Sequence, residues 1–175
     1  MAYLRSRLPA DAVQTCGAGN FTVWAHRFAE FTQYGTQVCP RSGSMGYGVA
    51  AAVTAKLVHP DKLCINVWGD AAIGFTGTDL ETAARERIPI LSILLNNHAM
   101  AIELPIMPVA TENYRATDIS GDYALFARSL GCHAERVTEA SEIVPALERA
   151  LAAIDAGQPA LVEFITQQET EFSRG

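Results

Sequence analysis

The chain is poor in the features that mark most specialised surfaces. Of 175 residues only 13 are Lys or Arg, against 19 Asp or Glu, and the net charge is -6. No basic cluster offsets that balance, so no nucleic-acid partner is expected. No apolar run reaches the ~18 residues of a membrane-spanning helix, so no membrane partner is expected either. The opening "MAYLRSRLPADAV" lacks the apolar centre of a secretory leader. Internal repeats and low-complexity segments are absent. The four cysteines, Cys16, Cys39, Cys64 and Cys132, form no CxxC pair. His26, His59, His98 and His133 stand at no ligand spacing from them, so no zinc site is expected. A reduced, cytoplasmic protein is the expectation.

What is present is apolar sequence, 49% of the chain, enough for one domain with a real core. "DAVQTC" (11–16) reads as a strand, followed by the turn "GAGN" and a helix from Phe21 that carries Trp24 and Phe28. "TQVCP" is a weak strand, and "GYGVAAAVTAKLVHP" (46–60) an Ala-rich helix ending at His59-Pro60. "LCINVW" (63–68) and "IPILSILL" (88–95) are strands, with the helix "TDLETAARER" (78–87) between them. A loop leads to the helix "DYALFARSLG" (122–131) and the strand "HAERV". The helix "SEIVPALERALAAIDAG" (141–157), capped by Ser141, and the strand "PALVEFIT" (159–166) complete the order. Strands apolar on both faces, alternating with helices, predict an α/β fold in three layers: a mostly parallel sheet covered by helices on both faces.

Ligands of such sheets bind at the carboxyl ends of the strands. Gly17 to Asn20, Gly69 to Ala72, and Asn96 to Ala99 fall there. Gly69 permits a tight turn before Asp70, and Ala71 and Ala72 are too small to block a ligand. An acid alone repels phosphate, but a bridging Mg²⁺ removes that conflict, since Mg²⁺ takes a few protein oxygens together with phosphate oxygens. Asn97 offers a neutral amide oxygen. Asp70 as a helix cap and the Asn pair as a turn would each be ordinary alone. Together, at equivalent strand ends of one βαβ unit, they favour a metal–diphosphate site. "GAGN" lacks the third small residue of a dinucleotide-binding turn, because position 22 is Thr22.

"GD…NN", separated by one helix and one strand, resembles the thiamine diphosphate motif of the acetolactate synthase and pyruvate decarboxylase superfamily. The family pattern begins Gly-Asp-Gly, whereas this chain has Gly69-Asp70-Ala71. "SGSMGYGVAAA" (42–52) resembles the segment that holds the aminopyrimidine ring. "CGAGNFTVWAHRF" (16–28) resembles the first strand–turn–helix of the same domain. The resemblance implies a thiamine diphosphate-binding, flavodoxin-like fold over residues 1–175. It implies Asp70, Asn97 and the carbonyl of Ala99 as Mg²⁺ ligands. Cofactor contacts would come from Gly19, Asn20, Phe21, Gly43, Ser44, Met45, Gly69, Asp70, Ala71, Ala72 and Asn97. The Met45 side chain would wedge the cofactor into its bent shape.

In that family a Glu from a separate pyrimidine-binding domain, usually on another subunit, activates the cofactor. One α/β domain cannot supply it, so the resemblance implies a pyrimidine-binding partner domain or subunit and a homo- or hetero-oligomer. The chain is then a split subunit or an excised domain of an enzyme decarboxylating or ligating 2-oxo acids. Two other readings are a regulatory cofactor-binding module and a flavodoxin-like nucleotide-binding protein. Within "NNHAMAIE", Glu103 resembles the decarboxylase proton-handling Glu, set against an apolar floor of Met100, Ile102 and Leu104. His98, beside Asn97, is the second catalytic candidate, facing the substrate as a proton carrier.

Overall fold

The computed structural model describes residues 2–168. Its centre is a sheet of β1 (Val13–Cys16), β2 (Gln37–Val38), β3 (Cys64–Gly69), β4 (Leu91–Asn96), β5 (His133–Val137) and β6 (Ala160–Ile165). Every pairing is parallel, in the order β2-β1-β3-β4-β6-β5. Parallel neighbours need long crossovers rather than hairpins. The helices lie in these crossovers and at the amino-terminal end: α1 (Ala2–Arg7), α2 (Phe21–Phe28), α3 (Tyr47–Val58), α4 (Asp70–Thr76), α5 (Asp79–Arg85), α6 (Pro108–Tyr114), α7 (Tyr123–Ser129) and α8 (Ile143–Asp155). Among the described residues no helix is long and apolar enough to cross a membrane.

The expected layering holds. Cys64 to Trp68 are all buried, although successive side chains point to opposite faces, so both faces of the sheet are covered. α3 packs tightly against β3: a Cβ on Gly48 would stand 2.1 Å from Asn66 Oδ1, so only Gly fits there.

The strand order matters most for function. From β1 the chain passes to one edge, at β2, and returns on the other side of β1 as β3. A crevice opens above the carboxyl ends of strands at such a reversal. A second reversal takes the chain from β4 to the far edge, at β5, and back between them as β6. The carboxyl ends of β1, β3, β4 and β6 therefore lie side by side.

Three local expectations are corrected. A helix, α4, starts directly at Asp70, where a turn was expected before position 78. Gly74 and Gly77 weaken the helical signal of that stretch, but burial of Ala72 and Ile73 overrides propensity. The expected loop before residue 122 contains α6, which has Pro108 at its first turn, where a missing N–H costs nothing. Ser141 does not cap α8. It lies within a 3₁₀ turn (Ala140–Glu142), and the helix begins only after Glu142, which makes no side-chain cap either.

Candidate functional site

β3 ends at Gly69 and α4 begins at once with Asp70, which sets a carboxylate at the edge of the sheet. Asp70 is only 4% exposed. Its Oδ1 accepts from the Ala71 N–H at 2.8 Å and its Oδ2 from the Asn97 N–H at 3.1 Å. Burial pushes its carboxyl above the usual carboxylate value, against the opposing pull of N–H groups of Ala71, His98, Asn97 and Ala99. No Lys or Arg among the described residues pairs with it.

The adjacent amides at the end of β4 have divided roles. Asn96 is fully buried; its Nδ2 donates to Glu163 Oε1 at 2.7 Å and its Oδ1 accepts from the His98 N–H at 3.0 Å. It ties β4 to β6 and shapes the loop. Asn97 borders the cavity, with its Oδ1 accepting from the Ala99 N–H at 3.0 Å. An amide oxygen has two lone pairs, so one acceptor position remains for a cation.

Asp70 and Asn97 open onto a cavity of about 680 Å³. Gly19, Asn20 and Phe21 from the start of α2 form one part of its wall, and Gly43 and Met45 another. Gly46, at φ 81°, turns the chain into α3, and its carbonyl accepts from Thr76 Oγ1 at 2.7 Å. That bond fastens the Gly43–Gly46 segment to the helix that starts at Asp70. Among the described residues no Lys or Arg lines it. A polyphosphate entering this cavity would have to bring its own countercharge, and a buried carboxylate held only by backbone N–H groups can bind a hard cation.

The structure brings most of the anticipated residues together. Gly19, Asn20, Phe21, Gly43, Met45, Gly69, Asp70, Ala71, Ala72, Asn97, Ala99 and Glu103 all line this one cavity. Ser44 does not; it borders a hollow beside α3, with its Oγ 3.3 Å from Ser42 Oγ. His98 does not either. At φ 60° it takes the left-handed conformation and borders a separate cavity with Arg115 and Asp118. Of the apolar floor expected under Glu103, Met100 and Ile102 line the cavity and Leu104 does not; Trp24, Leu95, Ala101 and Thr166 to Gln168 line it without having a counterpart among the expected site residues. The sequence marks Trp24 only as a helix residue. The Thr166 segment follows β6, and only the placement of β6 beside β4 brings it to the site.

Comparison with known proteins agrees with this geometry. Residues 17–164 match the family described as thiamine pyrophosphate enzyme, C-terminal TPP binding domain. The acetolactate synthase large subunit of Corynebacterium glutamicum is 31% identical over 96% of this chain and 28% of its own length. The benzoylformate decarboxylase of Pseudomonas aeruginosa is 32% identical over 91% of this chain and 30% of its own. The solved thiamine diphosphate-dependent 4-hydroxybenzoylformate decarboxylase of Rhodococcus jostii RHA1 superposes with a TM-score of 0.84 at 27% identity, covering 97% of this chain and 32% of that one. The chain thus spans under a third of the length of these relatives. With its sheet, strand-end acid and cavity in place, the chain belongs to the family of C-terminal thiamine pyrophosphate-binding domains of thiamine pyrophosphate enzymes.

Proposed function

We propose that this chain, as residues 1–175, is the diphosphate- and Mg²⁺-binding half of a thiamine diphosphate-dependent enzyme that decarboxylates or ligates 2-oxo acids. The observation that carries the reading is Asp70: a buried carboxylate with no cationic partner among the described residues, opening onto a cavity with no Lys or Arg among its described lining residues. A diphosphate and a divalent cation would complete that charge balance together. Asp70, Asn97 and the Ala99 carbonyl would hold the cation. Ala71 and Ala72 leave room for the diphosphate, and Gly19 to Phe21 border it.

Bound thiamine diphosphate supplies the electron sink that 2-oxo acid decarboxylation needs. The residues of this chain bind and orient it. Met45 and Gly43 would meet the pyrimidine ring, with Met45 as the wedge that sets its bend. Glu103, half-buried on the wall formed by Met100 to Glu103, would handle a proton at the substrate side. His98, which borders a different cavity, is outside this set. A pyrimidine-binding domain or subunit would complete the site in an oligomer, consistent with relatives more than three times as long as the span they share with this chain.

Calorimetric titration tests the reading. Thiamine diphosphate should bind in the presence of Mg²⁺ and lose that binding with EDTA, while FMN and NAD do not bind. Tight FMN or NAD binding without thiamine diphosphate binding would replace the reading with a nucleotide-binding one. In the holoenzyme reconstituted with a pyrimidine-binding partner, Glu103→Gln should slow product release from a 2-oxo acid and raise the share of hydroxyketone over aldehyde. An unchanged rate and ratio would remove Glu103 from the reaction.

A further inference from the structure

A second cluster of ligand-type side chains lies beside the first strand and plays no part in the proposed cofactor site. Cys16 is the last residue of β1, Cys39 follows β2, and His26 is in α2. Their ligand atoms converge. Cys16 Sγ is 2.9 Å from Cys39 Sγ, and His26 Nε2 is 3.6 Å from the first and 3.7 Å from the second. All three ligand atoms lie within 4.8 Å of one another. Cys16 is buried, Cys39 half-buried and His26 exposed, so the cluster has an inner wall and an open outer side.

We propose that Cys16, Cys39 and His26 form a site for a thiophilic divalent cation of the zinc class, with two thiolates, one imidazole and a fourth position open to water or to a partner. Zinc prefers tetrahedral sulfur and nitrogen ligands, at about 2.3 Å and 2.0–2.1 Å. A tetrahedron of those lengths separates its sulfurs by about 3.8 Å and each sulfur from the nitrogen by about 3.6 Å. Both sulfur–nitrogen separations fit as they stand. The sulfur–sulfur separation must open by about 0.9 Å to reach that tetrahedral value. Cys39 can supply that movement, because it lies just past a two-residue edge strand, whereas Cys16 is buried at the end of a strand paired on both sides.

Ligand chemistry keeps this site separate from the one at Asp70. Thiolates select soft and borderline ions, while Mg²⁺ takes oxygen ligands. Burial pushes the Cys16 thiol up to about 12. Binding replaces two S–H bonds by two metal–sulfur bonds and releases two protons to solvent. The ion would join the end of β1, α2 and the chain just before Gly43 and Met45, stapling the segment that borders the cofactor cavity. Spacing gave no hint of this, since the ligands come from three elements that only the fold brings together.

Co²⁺ serves as the optical probe, added to the reduced full chain. A thiolate-to-cobalt band in the near ultraviolet and tetrahedral visible bands should saturate at one ion per chain. Zn²⁺ should abolish them, and a large excess of Mg²⁺ should not. Cys39→Ser should weaken the affinity by at least about 100-fold, and His26→Ala by roughly tenfold. Far-UV circular dichroism of both variants should match the parent. Zn²⁺ should slow backbone hydrogen exchange over residues 39–46 in the parent and not in Cys39→Ser. Absence of the bands in folded, reduced chain overturns the proposal, as does their survival in Cys39→Ser. So does a mass 2 Da lower with both thiols blocked whether or not Zn²⁺ was present, because the pair is then a disulfide.

Discussion

Asp70 and Glu163 are both buried carboxylates near the carboxyl edge of the sheet, and their surroundings differ. Glu163 is fully enclosed and provided for: Asn96 donates to one oxygen at 2.7 Å, the Ala124 N–H donates to the other at 2.9 Å, and Arg136 stands 4.0 Å away. Among the described residues Asp70 has backbone N–H donors alone, and an open cavity before it. Tyr123 lies within the field of both, and burial and the two negative charges hold its phenol above the usual range. On the proposed reading the contrast separates a structural acid, Glu163, from a binding one, Asp70. A structural acid has its countercharge and donors built into the fold. A binding acid is left short of them, and the missing charge describes the ligand.

Removing the enclosed acid should cost the most. Glu163→Ala leaves the Asn96 amide and the Ala124 N–H without an acceptor, and should destabilise the fold by about 3–5 kcal/mol in urea unfolding. A variant of parental stability that no longer bound cofactor would erase the distinction between the two acids. Asp70→Ala should do the reverse: leave the fold intact and weaken Mg²⁺-dependent thiamine diphosphate binding by about 2–5 kcal/mol, roughly 30-fold or more. Normal binding by that variant would mean the cation is held elsewhere.

The cavity wall sharpens the comparison. Met45→Ala in the reconstituted enzyme should lower kcat on the order of tenfold while changing cofactor affinity less, because what is lost is alignment. An unchanged kcat with a lower Tm would make Met45 a packing residue. The smallest effect is on pH. The carboxyl of Asp70 lies above its usual value of 3.8 because the fold disfavours its charge. Between that value and its raised folded value the folded chain holds more protons than the unfolded one, so stability falls as pH rises through this window. Chemical denaturation across the acid range should show that fall in the parent and not in Asp70→Asn. Mg²⁺ with thiamine diphosphate should flatten it, by stabilising the ionised form.

The sequence by itself determined the layered parallel fold and the principal residues of the cavity. A parallel strand buried on both faces is a continuous apolar run, so β3 and β4 announce themselves, and ligand residues of such sheets follow directly after those runs. Asp70 and Asn97 were legible for that reason. Other features were decided by the tertiary structure alone. Asn96 and Asn97 are adjacent and chemically identical, yet one faces Glu163 in the interior and the other the cavity, because successive residues at a strand end point in opposite directions and only the placement of β6 beside β4 puts Glu163 on one side. Trp24 and the segment after β6 joined the site for the same kind of reason. The Cys16, Cys39 and His26 cluster is the extreme case: its members are 10, 13 and 23 residues apart, and they meet because β2 pairs with β1 while α2 folds back toward their ends. Local pattern encodes burial and direction along one element, whereas the meeting of side chains from separate elements depends on strand order, which no local pattern contains.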